Sequence, residues 1–184
     1  EIRENFLSDY SFLSNSDTET VLVGYNKLGA KIFEKLNGIF SLAIYDRRKE
    51  SIIIARDHLG VKPLYYYRKN GEFFFGSEIK AFLKIPGWDK SLNYKSLVNY
   101  QNFLYSPSEG TPFININKFL PGHYLKFDVN DVDNYKIEKF YQIPFNGNYS
   151  SKKPNHLVEE LDFHFTNAIK NQLLSDVPIG FFLS

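Results

Sequence analysis

Four short runs, IFSLAIYD, SIIIARD, PLYYYRK and EFFFGS, follow one another between residues 39 and 77 and constrain the fold more than any other feature of this chain. They are dense in Ile, Phe and Tyr, side chains that suit a pleated surface, and each is short enough to be a strand. Turn chemistry separates them at residues 46–50 and at Asn70-Gly71, so they read as consecutive antiparallel strands. With 18 Phe and 13 Tyr among 184 residues, the core they build has to be rich in aromatic rings.

Helical periodicity flanks these strands. Ile2, Phe6, Leu7 and Tyr10 recur at helical spacing. Ser16 followed by Glu19 has the form of a capping box, and Val21, Leu22, Tyr25 and Leu28 form the apolar stripe of a helix expected over Asp17–Leu28. Gly29 is expected to end it in a left-handed conformation, and AKIFEKLNG adds a second short helix closed by Gly38. SEIKAFLKI and NYKSLVNYQNFL read as two further helices, and GHYLKFDVNDVDNYKIEKFYQ as a hairpin with an acidic, exposed turn. The fold class is therefore α+β.

A change of composition follows. NGNYSSKKPN has the Gly, Ser, Pro and Lys content of a linker, and Pro154 stands where a helix begins. Leu157, Leu161, Phe165, Ala168, Ile169 and Leu173 describe one face of a helix over residues 155–174, which feeds a terminal run read as a strand at 178–183. Three parts are thus predicted: a domain at 1–145, a linker at 146–154 and the start of a second domain at 155–184.

Composition excludes several classes. The 22 basic and 21 acidic residues are scattered and nearly cancel, which argues against nucleic acid or an anionic membrane as partner. No apolar run approaches the ~20 residues that span a bilayer, and no charged-then-apolar leader opens the chain, so a soluble, cytoplasmic location is expected. The absence of cysteine removes disulfides, thiolate metal sites and thiol nucleophiles from these residues. His123, His156 and His164 lack the paired spacing of a metal site. Methionine is absent as well, even at position 1, so Glu1 is expected to be internal to a longer protein.

Residues 38–67, GIFSLAIYDRRKESIIIARDHLGVKPLYYY, resemble the glutaminase half of glutamine-dependent asparagine synthetases, members of the class II glutamine amidotransferases. SDTE at 16–19, FGSEIKAFL at 75–83, LPGHYLKF at 120–127 and SDVPIGFFLS at 175–184 are similar to successive landmarks of the same family, in order. The resemblance implies an αββα sandwich of antiparallel sheets of the N-terminal-nucleophile hydrolase type, incomplete here. It also implies the first helix and strand of an α/β ATP pyrophosphatase domain. The implied activity is release of ammonia from glutamine and its transfer to an ATP-activated aspartate, giving asparagine. The glutamine, aspartate and ATP are small-molecule partners, and ATP with Mg2+ belongs to the second domain, with none expected bound to this fragment.

Residue roles follow from the same resemblance. Asp17 would bind the α-amino group of glutamine, a role suited to a fixed carboxylate held ionised at the start of a helix. Helix starts also collect acidic residues for stability alone. Ser16 and Glu19 are assigned to capping. Arg56, Asp57, Gly60 and Pro63 are expected to shape a turn between two strands, with His58 beside them not a general base, since the N-terminal amine does that work in the family. Asp176 and Pro178 are read as a turn, and Phe182, Leu183 and Ser184 would border the adenine and phosphates of ATP, at the opening of a phosphate-cradling loop. The nucleophilic cysteine is expected to precede Glu1, so these residues alone are expected to be inactive. Two alternatives stay open: a related amidotransferase with a surface sugar, a dipeptide or a β-lactam precursor as acceptor, and a catalytically dead regulatory module. A homodimer is one assembly that would cover the sheet edges such a fragment exposes.

Overall fold

The computed structural model describes residues 1–145, 147, 150–173, 175 and 177–182. The chain divides into two compact units, Glu1–Ile143 and Pro144–Ser184.

In the first unit the expected strands form as β1 (Ser41–Asp46), β2 (Ser51–Arg56), β3 (Tyr65–Lys69) and β4 (Glu72–Gly76), followed by β5 (Ile116–Lys118), β6 (His123–Asp128) and β7 (Asp131–Lys139). Asn70 and Gly71 both have positive φ, 50° and 75°, the backbone that a two-residue hairpin turn between β3 and β4 demands. The strands are antiparallel neighbours only within pairs. β2 and β3 do not pair, because one sheet runs β1-β2-β6-β7 and the other β4-β3-β5. Residues 57–64 carry the chain from the first sheet to the second.

The physical reason is that β2 is apolar on both faces. Successive side chains of a strand point to opposite sides. Ile52 and Ile54 join Leu64, Tyr66, Phe73, Phe119, Leu125 and Phe127 between the sheets. Ile53 and Ala55 point the other way, to Ile32, Phe33, Val21 and Tyr25 of the helical layer. The second sheet repeats the device, with Tyr67 and Ile116 turned outward onto Phe82, Trp88 and Phe113. The layers are therefore helix, sheet, sheet, helix.

The helices are α1 (Ile2–Phe6), α2 (Asp17–Leu28), α3 (Ile79–Phe82) and α4 (Tyr94–Phe103), with a 3-10 turn at Gly29–Glu34 after α2. The bounds of α2 match the expectation; three details differ. Helix α1 ends before Tyr10, which is 44% exposed and so gains nothing from extending the helix. Gly29 has φ 62° but ψ −145°, an extended conformation open to glycine rather than the left-handed helical one. The segment after it winds as a 3-10 turn capped at Lys35, short of Gly38, because that tighter path seats Ile32 and Phe33 fully in the core.

The second unit contains α5 (Pro154–Gln172), with Pro154 at its first turn, where a missing N–H costs nothing. Leu157, Leu161, Phe165 and Ile169 on it are exposed. The terminal strand expected at 178–183 is corrected by the structure: residues 178–182 carry no strand assignment, and Leu183 lies outside the described residues. A strand needs a neighbour for its backbone groups, and none pairs with this run among the described residues. No helix among the described residues is long and apolar enough to cross a membrane.

Phe33 is wholly buried and meets the rings of Tyr25, Tyr124 and Phe140 at 6.5, 5.6 and 5.8 Å. Phe33→Ala is expected to destabilise the first unit by about 3–5 kcal/mol, read from the shift of its urea midpoint, with the slope unchanged.

Candidate functional site

The crossing between the two sheets is built by Arg56 and Asp57, which are 7% and 1% exposed. The Arg56 guanidinium donates from Nε to the carbonyl of Lys62 at 2.7 Å, from Nη2 to that of Gly60 at 2.6 Å, and from Nη1 to that of Phe119. Asp57 accepts from the backbone N–H groups of Leu59, Val61 and Lys62 at 3.1, 2.9 and 3.0 Å. Two buried charges are thus spent entirely on backbone groups of their own loop and of the chain entering β6. Gly60 has φ 68°, and a Cβ there would lie 2.7 Å from Pro121 and 3.0 Å from the Arg56 guanidinium carbon. Pro63 is exposed and precedes buried Leu64.

His58 stands beside this brace with its imidazole among three rings, 6.4 Å from Phe40, 5.4 Å from Phe140 and 4.4 Å from Tyr141, all edge-on. Burial holds its pKa below the ordinary value against the opposing charge of Asp57. Its surroundings are those of a packed ring.

The second cluster surrounds the start of α2. Ser16 is the N-cap, its hydroxyl accepting from the N–H of Thr18 at 3.2 Å. Glu19 does not close the reciprocal arm of a capping box. Its carboxylate instead accepts from the N–H groups of Leu13 and Ser14 at 2.8 and 2.7 Å and from the Ser14 hydroxyl at 2.7 Å. The N–H of Ser16 donates to the Ser14 hydroxyl oxygen at 3.2 Å, so the expected contact is relayed through Ser14. The bonds from Leu13 and Ser14 hold the Glu19 carboxyl below its ordinary value.

Arg3 grips the same loop from α1. Its Nε donates to the Thr20 hydroxyl at 2.7 Å, Nη1 to the carbonyl of Ser14 at 2.7 Å and Nη2 to that of Ser16 at 2.8 Å. The guanidinium lies 4.0 Å over the ring of Phe12. Arg3 and Ser14 were outside the residues that spacing singles out, because no local pattern announces a contact across 11 to 17 positions. Asp17, the first residue of α2, is exposed, and its carboxylate takes no hydrogen bond or ion pair among the described residues.

The other expected site residues are not brought to it. A shallow cleft of about 260 Å³ is lined by Leu22, Tyr25, Asn26, Ile44, Asp46 and Arg48 among others, and Asp17 does not line it. Phe182 is fully exposed, while Leu183, Ser184 and Asp176 lie outside the described residues. His123 contacts the carbonyl of Pro121 at 2.7 Å through Nδ1, and His156 is exposed 3.7 Å from Glu159. Among the described residues no group of three or more His, Cys, Asp or Glu is arranged to hold a metal ion.

Residues 1–141 match the protein family described as the glutamine amidotransferase domain. Asparagine synthetase (glutamine-hydrolyzing) 3 of Bacillus subtilis is 33% identical over 95% of this chain and 28% of its own length. Asparagine synthetase B (glutamine-hydrolyzing) of Escherichia coli is 28% identical over 100% of this chain and 27% of its own. Among solved structures, the glutamine phosphoribosylpyrophosphate amidotransferase from B. subtilis, complexed with ADP and GMP, superposes with a TM-score of 0.52 at 18% identity, over 77% of this chain and 26% of that one. That likeness is one of fold, with two antiparallel sheets packed between helices. The chain spans about a quarter to a third of the length of the curated relatives it matches.

The Asp57 brace carries a pH signature. Burial alone would raise its carboxyl, but the N–H groups of Lys62, Val61 and Leu59 outweigh it and bring the pKa below the ordinary 3.8. A depressed acid stabilises the fold fully above its unfolded pKa and loses that contribution as pH falls through the folded value. Asp57→Asn is therefore expected to cost roughly 1–3 kcal/mol at pH 7, and the urea midpoints of the two proteins are expected to converge as pH falls below the ordinary carboxylate value.

Proposed function

The chain belongs to the glutamine amidotransferase domain family, and from that premise we propose that it is the glutaminase part, and the beginning of the synthetase part, of a glutamine-dependent asparagine synthetase. The observation that carries this reading is the reach of the similarity. The family match ends at residue 141, yet the likeness to asparagine synthetases runs over 95–100% of the chain and so continues through α5. An amidotransferase with an unrelated second domain would lose its likeness to them at that junction. The proposed organisation is a glutaminase domain at 1–145, a linker at 146–154 and the start of the ATP-using domain at 155–184.

In this reading Asp17 is the seat of the substrate's α-ammonium. Arg3, Ser14 and Glu19 are committed to holding the loop, and the Asp17 carboxylate takes none of their bonds, which leaves it to accept a charged donor. Arg56, Asp57, Gly60 and Pro63 hold the two sheets in register with each other and touch no substrate. The thiolate that attacks the glutamine amide comes from outside these residues, which contain no cysteine. ATP, taken with Mg2+ by the second domain, supplies the activation of aspartate, and Phe182, Leu183 and Ser184 are its proposed border. A cytoplasmic location and a homodimeric assembly accompany the proposal.

The test is product identity. The intact protein, given amide-labelled glutamine, aspartate and ATP, is expected to yield glutamate and labelled asparagine. Glutamate without asparagine would assign a different acceptor, and no glutamate would assign a module without glutaminase activity. The 184 residues by themselves are expected to show no glutamine turnover above buffer. Asp17→Asn in the intact protein removes one charge-assisted bond of about 1.5–3 kcal/mol. It is expected to lower kcat/KM for glutamine about 10- to 100-fold, with synthesis from free ammonia unchanged.

A further inference from the structure

We propose that Arg3 and Glu19 are positioning residues for glutamine: together they lock the loop before α2 and so fix where the Asp17 carboxylate stands. The inference rests on Asp17 as the ammonium seat and adds two residues to that site.

The two side chains divide the loop's polar atoms between them. Arg3 takes carbonyls, those of Ser14 and Ser16, and reaches α2 itself through the Thr20 hydroxyl. Glu19 takes donors, the N–H groups of Leu13 and Ser14 and the Ser14 hydroxyl. Ser14 is held from both sides, through its carbonyl by Arg3 and through its N–H and hydroxyl by Glu19. The Ser14 hydroxyl then accepts from the N–H of Ser16, the residue immediately before Asp17. Phe12 under the guanidinium sets the plane of the Arg3 fork.

This network is larger than helix capping requires. A single hydroxyl at the N-cap satisfies a free N–H of the first turn, and Ser16 already does so. Six further bonds from two charged side chains fix the entering backbone in a region that contributes nothing to the buried core, since Leu13, Ser14, Asn15, Ser16 and Asp17 are all exposed. Rigidity without burial is what a polar contact to a small ligand needs, because a misplacement of about 1 Å can cost on the order of 100-fold in rate. The carboxylate that benefits is the one the network leaves unengaged.

The experiment compares variants of the intact protein with glutamine and with free ammonia as nitrogen source. Glu19→Ala and Arg3→Ala are each expected to raise KM for glutamine roughly tenfold, with kcat nearly unchanged, ammonia-dependent synthesis intact and thermal midpoints close to wild type. Glu19→Gln, which keeps two acceptor lone pairs, is expected to restore part of the loss. In an Asp17→Asn background the loop variants are expected to add little, since the group they position is gone. If Asp17→Asn leaves the glutamine KM unchanged, the ammonium seat itself is refuted. If Asp17→Asn raises KM while the loop variants do not, or if they lower both nitrogen reactions together with the thermal midpoint, the positioning role is refuted and the seat stands. Should either alanine variant fail to fold, Arg3→Lys and Glu19→Gln decide the question by the same KM readout.

Discussion

Everything in the first unit depends on how the chain passes from one sheet to the other between β2 and β3. A sandwich with both sheet faces covered needs connections that leave one layer and enter the next, and the backbone groups of each such connection, outside any strand ladder, still need partners. Arg56 and Asp57 solve this locally. One supplies donors to three carbonyls, the other an acceptor for three N–H groups, and both charges are buried without an ion pair across solvent. Because the Arg56 fork also reaches Phe119, the same residue ties the crossing to the chain that enters β6, the central partner of β2.

From that crossing the core follows by alternation. Once Ile54 faces the second sheet, Ile53 and Ala55 must face the helical layer, and α2 is drawn against them by Val21, Tyr25 and Leu28. The placement of α2 in turn sets the position of its first residue. A carboxylate at the start of this helix is therefore located by packing at the far end of the helix and by hydrogen bonds at the near end. The two kinds of restraint are independent, which is why residues 13–16 before α2 can be exposed and still be held by bonds.

Local chemistry in the sequence reveals the elements well and their partnerships poorly. Asn70-Gly71 announces a tight hairpin because these residues tolerate the positive φ such a turn needs, and Pro154 announces the start of α5 because its ring fixes φ near the helical value. The separation of β2 from β3 is invisible to spacing: both are apolar on two faces, and the second partner of β2, β6, lies some 70 positions further on. The similarity to a known family, not periodicity, supplies the two-sheet arrangement. The site shows the same division. Ser16 is legible as a cap because capping acts over two or three residues, whereas Glu19 fits a capping-box pattern yet is captured by Leu13 and Ser14, a competition that only the path of the preceding loop decides. The terminal run failed as a strand for the converse reason: its composition suits a sheet, but pairing is a property of two segments.

The exposure of Asp17 bears on how an ammonium seat would work. Two opposite charges about 4 Å apart attract by about 1 kcal/mol in bulk water and by about 4 kcal/mol at an effective dielectric near 20. A carboxylate in open solvent is thus a weak discriminator, while the same group beneath an apolar wall prefers a cationic amine over a neutral amide by orders of magnitude. Geometry and dielectric are separable contributions. The described residues provide the first, through a loop whose polar atoms are bonded to Arg3, Glu19 and one another. The second requires an apolar wall over the start of α2, where the Asp17 carboxylate is exposed among the described residues.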